Sequence, residues 1–372
     1  NSGDFLAKAD ADLLVDKNST KVSSQISEKG MRYDLTIPLA RYVVQHENDL
    51  VFPFKRFHIA PVWRADRPQR GRYREFYQCD VDIIGSKSLI NEVEFAQIYN
   101  EAFEKLNLKV DIKINSRKIL MGMIEAIGAL DKATKIITII DKIDKIGLDK
   151  VVEEVTQLSI SEEQSAKLKT FLSTTDINQI ELSNDTLKEG VAEVQFILKY
   201  QVPNVTFDIS LARGADYYTG VILEVFCAEM DFGALGGGGR YDNLTEMFGK
   251  KDVTGVGISF GFERVYDVLE SLNKFPENIQ SAPTLLFLHF GEAEQEFAFD
   301  LLQKIRKANI SSEIYPDQAK MKKQMKYANG KGVKYICVIG SDEIESGALT
   351  LKNMETGDQE SLSIEEVIEK LK

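Results

Sequence analysis

The chain has 372 residues, enough for two or three domains that each bury a core. Its 58 acidic residues outnumber its 46 basic ones, giving a formal net charge of −12, and 43% of the residues are hydrophobic. This composition excludes a disordered chain and a membrane-spanning one. On global charge alone it also argues against a nucleic-acid partner, because phosphate binding needs clustered Lys and Arg.

Cysteine and histidine are scarce and scattered. An odd number of cysteines without a Cys-x-x-Cys pair predicts no disulfide framework and indicates a reducing, cytoplasmic compartment. The histidines are too far apart for a zinc site or a His-based hydrolase triad, so we expect no resident metal. The residues are Cys79, Cys227, Cys337, His46, His58 and His289.

The first third of the chain predicts antiparallel strands with helices between them. Residues 1–30 are polar and predict a weak hairpin or a loop. Residues 76–84 alternate with the period of a strand, and residues 88–106 have the spacing of a helix. A further strand is expected over residues 109–114.

The middle of the chain changes from helical to extended patterns. Between residues 116 and 200 apolar residues recur on helical faces and proline is absent, which predicts a helical insertion domain. Strands are expected over residues 205–211 and 221–226. A Gly-rich turn over residues 233–239 should then lead to an apolar segment over residues 253–262.

The last part of the chain predicts a separate domain, in which buried strands over residues 285–290 and 333–339 alternate with amphipathic helices. The expected fold is an α+β domain, an antiparallel sheet flanked by helices, with a helical insertion, followed by a C-terminal α/β domain with a mainly parallel sheet. The expected boundaries are 1–115 and 201–280 for the core, 116–200 for the insertion and 281–372 for the last domain.

A basic loop precedes the strand at residues 76–84. Residues 55–75 contain seven basic and two acidic side chains, and Arg predominates. Because a guanidinium group can hold a phosphate through two hydrogen bonds, the loop predicts an anion site, with a solvated basic loop as the alternative. In the strand, Gln78, Asp80 and Asp82 share one face. This polar row begins beside the Arg-rich loop, which favours a pocket floor over a solvent-facing strand.

Two further clusters combine glycine with charged and aromatic residues. Four consecutive glycines permit a ligand to approach the backbone closely, although tyrosines in a turn are commonly only packed. The chain matches neither the P-loop nor the dinucleotide fingerprint. The clusters are Leu211-Ala-Arg-Gly-Ala-Asp-Tyr-Tyr-Thr-Gly220 and Gly233-Ala-Leu-Gly-Gly-Gly-Gly-Arg-Tyr-Asp242.

Four segments, in chain order, resemble the signatures of the histidyl-tRNA synthetase family of class II aminoacyl-tRNA synthetases. The Arg64 loop and its strand are similar to class II motif 2, and the segment ending at Arg264 is similar to motif 3. The stretch from Arg213 to Tyr218 resembles one peculiar to histidine-specific members. The resemblance covers nearly the whole chain and implies that the α+β domain is catalytic and that the last domain binds the anticodon. The segments are Met31–Arg41, the Arg64 loop, Ala212–Ile222 and Gly257–Arg264.

The resemblance implies a two-step ligase reaction. The carboxylate of histidine would attack the α-phosphate of ATP, and the histidyl adenylate would then give histidine to the 3′ end of tRNA(His). Arg64 and Arg213 would be catalytic, both acting on the α-phosphate. Asp66 and Arg264 would bind ATP, which would bring Mg²⁺ on its phosphates. A carboxylate is already nucleophilic at pH 7, so positioning and charge neutralisation are what the reaction requires.

The same resemblance implies an amino-acid pocket. Asp34, Thr36 and Gln78 would hold the α-ammonium group, and Asp82 with Tyr218 would hold the imidazole ring. A carboxylate and a hydroxyl at fixed separation reject an analogue that lacks the ring's N–H donors. Taken alone, Asp34 could equally be a cap or turn residue. Further histidine-binding residues would be Arg213, Tyr217, Gly236 and Gly238, and the acceptor end of the tRNA would meet Arg67 and Gln69.

The sequence departs from the family pattern in three places. Residues 1–30 do not match class II motif 1, which forms the dimer interface. Because the chain also begins with Asn1, we expect this motif to lie outside the given sequence and the full-length form to be a homodimer. Asp82 stands where many members have Glu, and Ala215 stands where a larger apolar residue is usual.

A lysine-rich stretch lies in the last domain. Residues 320–334 include six lysines and no acidic residue. Lys320, Lys322 and Lys323 are therefore candidates for contacts with the tRNA backbone, with a solvated helix face as the alternative. Positive charge is concentrated here and at residues 55–75. The acidic net charge of the whole chain therefore does not argue against a nucleic-acid partner.

The main alternative function is that of a catalytically silent paralogue, such as the regulatory subunit of ATP phosphoribosyltransferase. A protein that only binds has no need of arginines that stabilise a transition state. Such paralogues typically lack the Arg-Gly-x-Asp-Tyr-Tyr segment and the anticodon domain, and this chain has both. A structural or signalling protein with a degenerate synthetase fold is a third alternative.

Overall fold

A computed structural model of the chain describes residues 8–16, 19–27, 29–212, 217–276 and 282–372. The chain divides into two compact units, Asn1–Lys274 and Phe275–Lys372. No helix in the described ranges is long and apolar enough to cross a membrane.

The strands of the first unit are β1 (Phe54–Trp63), β2 (Glu75–Ile84), β3 (Val110–Ser116), β4 (Val205–Phe207), β5 (Val221–Cys227), β6 (Ala234–Arg240) and β7 (Gly255–Gly261). Its helices are α1 (Ala11–Val15), α2 (Ser19–Ile26), α3 (Thr36–Gln45), α4 (Ile90–Lys105), α5 (Arg117–Ala126), α6 (Ala133–Ile140), α7 (Ile143–Ile146), α8 (Leu148–Thr156), α9 (Glu162–Leu172), α10 (Asp185–Leu198) and α11 (Phe262–Ser271).

The first unit is built on a seven-stranded sheet in the order β1-β2-β7-β6-β5-β3-β4. Neighbouring strands are antiparallel except for β3 and β4. Helix α4 contacts β3, β5 and β7, and its fully buried side chains Phe95, Tyr99 and Phe103 belong to the core. Helices α5 to α10 follow β3 in the chain. An antiparallel sheet with flanking helices and a helical insertion is the predicted fold class, which is therefore confirmed.

The Gly-rich segment forms a strand, so the prediction of a turn over residues 233–239 was wrong. β6 lies in the sheet between β5 and β7. A Cβ atom on Gly238 would lie 2.0 Å from the backbone oxygen of Gly257, and one on Gly236 would lie 2.7 Å from that of Ser259. The glycines are present because neighbouring backbone approaches too closely for side chains.

Two other local predictions differ from the structure. Residues 11–15 and 19–26 are helical rather than a hairpin or loop, and the side chain of Asp10 caps α1 by accepting a hydrogen bond from the N–H of Asp12 at 2.9 Å. β4 ends at Phe207, shorter than the predicted strand. Asp208 accepts a hydrogen bond from the N–H of Ser210 at 2.9 Å and so turns the chain out of the sheet.

The second unit is an α/β fold around a five-stranded sheet in the order β12-β11-β10-β8-β9. β9, β8 and β10 are parallel, and β11 and β12 add an antiparallel edge. Both faces of the sheet are covered, because Leu285 and Phe287 belong to one apolar cluster and Leu286 and Leu288 to another. Its elements are β8 (Leu285–His289), α12 (Glu292–Lys307), β9 (Ser312–Ile314), α13 (Met321–Lys331), β10 (Tyr335–Ile339), α14 (Ser341–Ser346), β11 (Leu349–Asn353), β12 (Gln359–Leu362) and α15 (Ile364–Leu371).

Candidate active site

One face of the first sheet carries a cleft with two lobes. The inner lobe has a volume of about 530 Å³, within the range of small-molecule sites. Six residues, among them Arg64, Gln78 and Arg264, line both lobes, so the lobes form one cleft. Residues that line only the inner lobe include Asp34, Thr36, Asp80, Asp82, Tyr217 and Tyr218. Residues that line only the outer lobe include Asp66, Tyr73, Phe76, Gly236 and Glu263.

Asp82 lies at the floor of the inner lobe and is 1% exposed. Its Oδ2 lies 3.0 Å from Nη2 of Arg56, and its Oδ1 accepts a hydrogen bond from the hydroxyl of Tyr241. Burial raises the pKa of Asp82, whereas Arg56 and Tyr241 oppose that rise. A Cβ atom on Gly257 would lie 2.1 Å from Oδ1 of Asp82, so only glycine fits there. The carboxylate is thus fixed in one orientation.

Asp34 and two tyrosines also border the inner lobe. Oδ1 of Asp34 accepts a hydrogen bond from the N–H of Ile37 at 3.2 Å, so Asp34 caps the first turn of α3 while its carboxyl lines the lobe. Burial raises the pKa of Asp34, and the Ile37 bond and the charge of Arg64 oppose the rise. The rings of Tyr217 and Tyr218 have centroids 4.9 Å apart. Burial raises the pKa of Tyr217, which keeps its phenol neutral.

Arg64 lies where the two lobes meet. Its guanidinium carbon is 4.4 Å from the centroid of the Tyr33 ring and 5.0 Å from that of Phe76. Its Nε donates a hydrogen bond to the backbone oxygen of Tyr33 at 3.3 Å. Stacking on two rings holds a guanidinium group without neutralising it. Arg64 therefore presents a fixed positive charge to both lobes.

Arg264 lies in the first turn of α11. Its Nε donates to the backbone oxygen of Gly71 at 2.8 Å, and its Nη1 donates to that of Ala234 at 2.6 Å. Carbonyl oxygens orient a guanidinium group while leaving it charged. Two cationic groups at one cleft create an environment that attracts anions.

Asp66 and the predicted glycines take different positions around the cleft. Asp66 and Gly236 line the outer lobe. Gly238 is not among the residues that line either lobe, whereas its neighbour Gly237 lines both. Of the glycines in this strand, Gly236 and Gly237 therefore border the cleft.

The remaining predicted residues of the first unit lie outside the cleft or outside the described part of the chain. Arg67 and Gln69 are exposed in the loop between β1 and β2, and Gln69 forms a tight turn with Arg72 through two backbone hydrogen bonds. Arg213 and Ala215 belong to residues 213–216, which lie outside the described residues.

Sequence reasoning missed Arg56 and Tyr241, which contact Asp82, and Ser259, which lines both lobes. Arg56 was counted in the basic loop, but it lies in β1 directly opposite Asp82. Ser259 of β7 is opposite Asp80, and Tyr241 follows the end of β6. Strand alternation assigns these residues to faces, but only the pairing of the strands brings them to Asp82 and Asp80.

The lysine-rich stretch of the second unit is largely exposed. Lys320 immediately precedes α13, and Lys322 and Lys323 lie in its first turn; all three are exposed. Lys331, in contrast, lies 2.7 Å from a carboxylate oxygen of Glu313. Most of the predicted patch therefore presents its charge to solvent, and Lys331 has a partner within the unit.

The largely antiparallel sheet, with arginines beside a cleft on one face and a separate α/β unit after it, has the architecture of the class II aminoacyl-tRNA synthetases. Comparisons with known proteins agree. The family model described as histidyl-tRNA synthetase matches residues 6–265, and the one described as anticodon binding domain matches residues 285–372.

Curated relatives and solved structures resemble nearly the whole chain. It is 48% identical to the histidine--tRNA ligase of Bacteroides fragilis (strain YCH46), over 99% of this chain and 84% of that protein. The histidyl-tRNA synthetase of Nostoc sp. PCC 7120 is 26% identical, with a TM-score of 0.79 over 91% of this chain and 82% of that one. A Bacillus halodurans protein, described as an ATP phosphoribosyltransferase regulatory subunit/histidyl-tRNA synthetase, is 21% identical with a TM-score of 0.67 over 80% of this chain and 77% of that one, which shows the fold alone.

The chain belongs to the histidyl-tRNA synthetase family, whose members are ligases that join histidine to tRNA. The predicted family, fold class and ligase activity are thereby confirmed. The silent regulatory paralogue is disfavoured, because the curated relatives are ligases and the chain carries a matched anticodon domain.

Proposed function

We propose that this chain activates L-histidine with ATP to histidyl adenylate and pyrophosphate, and then transfers histidine to the 3′ end of tRNA(His), through the residues described below. The observation that carries the proposal is the division of the cleft. The buried, acidic inner lobe suits a cationic amino acid with an imidazole ring, and the outer lobe suits a polyphosphate. Arg64 lies where the carboxylate of one substrate would meet the α-phosphate of the other.

In the inner lobe, Asp34, Thr36 and Gln78 would hold the α-ammonium group of histidine. Asp82 would accept a hydrogen bond from the imidazole ring, with Tyr218 on the ring's other nitrogen. The contacts of Asp82 with Arg56 and Tyr241 support this role, because they fix an acceptor before the substrate arrives. Tyr217, Gly236 and Gly238 would complete the surroundings of the amino acid.

Adenylate formation needs charge neutralisation more than acid or base catalysis. The carboxylate oxygen of histidine attacks the α-phosphorus, the bond from that phosphorus to the β-phosphate oxygen breaks, and pyrophosphate leaves with its electron pair. Arg64 would stabilise the negative charge on the α-phosphoryl oxygens, and Arg213 would act there and on the substrate carboxylate. Preorganised cations of this kind lower the barrier because they need not reorganise during the reaction.

The rest of the nucleotide would lie in the outer lobe. Arg264 would hold the adenine and γ-phosphate end, with Asp66 nearby. Asp66 and Glu263 also offer carboxylate oxygens, which Mg²⁺ prefers. Among the described residues no set of three His, Cys, Asp or Glu side chains is arranged to hold a metal ion. Mg²⁺ would arrive on the phosphates of ATP, where it neutralises their charge.

The tRNA would contact both units. Arg67 and Gln69, which are exposed in the loop between β1 and β2, would contact the acceptor end of the tRNA. Lys320, Lys322 and Lys323 would contact the tRNA backbone near the anticodon. The proposed division is a catalytic core of residues 1–115 and 201–280, a helical insertion of 116–200 and an anticodon-binding domain of 281–372.

A homodimer and a cytoplasmic location belong to the same proposal. Phe57 and Ile59 on the outer strand β1 are 76% and 58% exposed and share one face, and exposed apolar patches suit a protein partner. The free thiols of Cys79, Cys227 and Cys337 suit a reducing compartment. Light scattering tests the dimer, and a monomer of the full-length protein at micromolar concentration would contradict it.

The proposed reaction is tested by ATP–pyrophosphate exchange with each standard amino acid in turn, followed by charging of a tRNA(His) transcript. Exchange with histidine alone and accumulation of histidyl-tRNA are expected. Exchange with a different amino acid, or with none, would overturn the proposal, and the second result would favour a regulatory protein.

A further inference from the structure

A chain of polar side chains borders the inner lobe and joins β2 to β7. Asp80 and Ser259 are directly opposite each other in the antiparallel pairing of these strands, and the Ser259 hydroxyl opposes the rise in the pKa of Asp80 that burial causes. Nε2 of Gln78 donates a hydrogen bond to Oγ of Ser259 at 3.2 Å. All three residues line the inner lobe, so this chain, which we call the β2–β7 relay, lies against the substrate.

Two oxygens of the relay lack partners. Within the described residues, Oε1 of Gln78 and Oδ1 of Asp80 are buried and make no hydrogen bond. Buried polar atoms without partners are uncommon in native proteins, and a bound ligand is one explanation for them. Both oxygens are acceptors when Asp80 is ionised, so the missing partner is a donor.

The ionisation state of Asp80 determines the direction of hydrogen-bond donation along the relay. An ionised carboxylate only accepts hydrogen bonds, so the hydroxyl of Ser259 can turn toward it only as a donor. Oγ of Ser259 then has only lone pairs left, and these accept from the amide nitrogen of Gln78. The amide oxygen of Gln78 is therefore turned toward the lobe.

We propose that Asp80 and Ser259 are positioning residues that keep the amide oxygen of Gln78 directed at the α-ammonium group of the bound amino acid. An ammonium group is a donor only, so the opposite amide orientation would repel it. The inference rests on the proposed function, because it assumes that the inner lobe binds histidine.

The relay should depend on pH. Burial raises the pKa of Asp80 to about 7. Protonated Asp80 can donate to Ser259, whose hydroxyl is then free to turn toward Gln78, and the amide loses its preferred orientation. His58 lies opposite Asp80 on β1, and burial and nearby arginines lower its pKa. The other charged groups in or beside the inner lobe are Asp34, Arg56, Arg64, Arg72, Asp82, Asp141, Glu224 and Arg264.

The test compares Asp80→Asn and Ser259→Ala in the full chain with two inhibitors. Histidinol keeps the ammonium group, and imidazolepropionate lacks it. Each variant should raise the KM for histidine about tenfold with little change in kcat, as expected for a weakened hydrogen bond to a charged group. By calorimetry each variant should bind histidinol about tenfold more weakly and imidazolepropionate unchanged. Ser259→Thr, which keeps the hydroxyl, should restore most of the affinity.

A pH series gives a second measurement. The KM for histidine of the unchanged protein should rise as the pH falls through about 7. In Asp80→Asn this rise should be absent, and only the titration of the substrate imidazole, common to both proteins, should remain.

Three results would overturn the relay. Equal loss of both inhibitors would indicate a packing role, and unchanged histidinol binding by Ser259→Ala would indicate that Asp80 acts by charge alone. A KM for histidine that rises below pH 7 as steeply in Asp80→Asn as in the unchanged protein would assign the titration to His58 or the substrate. Calorimetry tests the relay by inhibitor binding alone, without catalysis. ATP–pyrophosphate exchange by the unchanged protein tests the proposed function, so the relay and the proposed function can fail separately.

Discussion

The two lobes of the cleft differ in the contacts that their charged side chains make. In the inner lobe Asp82 is buried against Arg56 and Tyr241, so its charge is balanced before any substrate binds. In the outer part, Arg64 lies between aromatic rings and Arg264 lies on backbone oxygens, contacts that orient a guanidinium group but do not cancel its charge.

The difference follows from what each lobe is proposed to bind. An imidazole ring and an ammonium group offer few donors, so discrimination depends on acceptors held at fixed positions, and burial supplies the rigidity. A polyphosphate carries its own charge, and the positive charges of the arginines at the cleft attract it. Removing one member of a buried pair in the inner lobe should therefore damage folding as well as activity, whereas substitutions in the outer lobe should damage activity alone.

Asp82→Ala should have the largest effect and tests the inner half of this comparison. It leaves Arg56 largely buried without its partner, so the free energy of unfolding should fall by about 3 to 5 kcal/mol in urea denaturation. Asp66→Ala is the matched control, because Asp66 is half exposed and 4.0 Å from Arg72, and a change within about 0.5 kcal/mol is expected. Equal losses in the two variants would remove the distinction between the lobes.

Arg64→Ala tests the outer half. The rate of adenylate formation should fall by about 10²- to 10³-fold, because a preorganised positive charge at the α-phosphate is lost. Thermal unfolding should change little, since Arg64 contacts ring faces and one carbonyl oxygen. Arg64→Lys keeps the charge but not the paired donors and should be intermediate. A change confined to the KM for ATP would show that Arg64 binds substrate without stabilising the transition state.

Asp80→Asn tests a second property of the inner lobe. The buried charge of Asp80 should lower the free energy of unfolding, and Asn removes that charge. The pKa of Asp80 is raised from 3.8 to about 7 on folding, so stability is lost as the pH rises from about 4 to 7. Asn has no such dependence. Relative to the unchanged protein, the variant should gain about 2 to 3 kcal/mol between pH 5 and pH 8, measured by urea unfolding at both values. Parallel pH dependence of the two proteins would contradict this.

Sequence reasoning succeeded where the determining signal is local. The helix predicted over residues 88–106 is α4, shorter by three residues, and the strand predicted over residues 76–84 is β2 with one residue added. Alternation along β2 was enough to place Gln78, Asp80 and Asp82 in one row, and that row lines the cleft.

The failures have non-local causes. The Gly-rich strand β6 was taken for a turn because glycine disfavours strands locally, and the requirement for glycine comes from the backbone of β7 beside it. Similarly, Arg56 and Tyr241 reach Asp82 from two other parts of the sheet. Knowledge of strand order and register, which no short pattern contains, was needed to find them.

The smallest expected effect concerns the second unit, where Lys322 and Lys323 are exposed. Lys322→Glu combined with Lys323→Glu should weaken tRNA(His) binding and flatten its salt dependence by about two phosphate contacts, while adenylate formation is unchanged. Lys331→Gln is the matched control, because Lys331 is paired with Glu313 and should contribute little to tRNA binding. Filter binding over a range of salt concentrations gives both slopes. If the double variant binds tRNA as tightly as the unchanged protein, these lysines form only a solvated helix face. Exposed basic charge would then not be enough to identify where this protein binds phosphate.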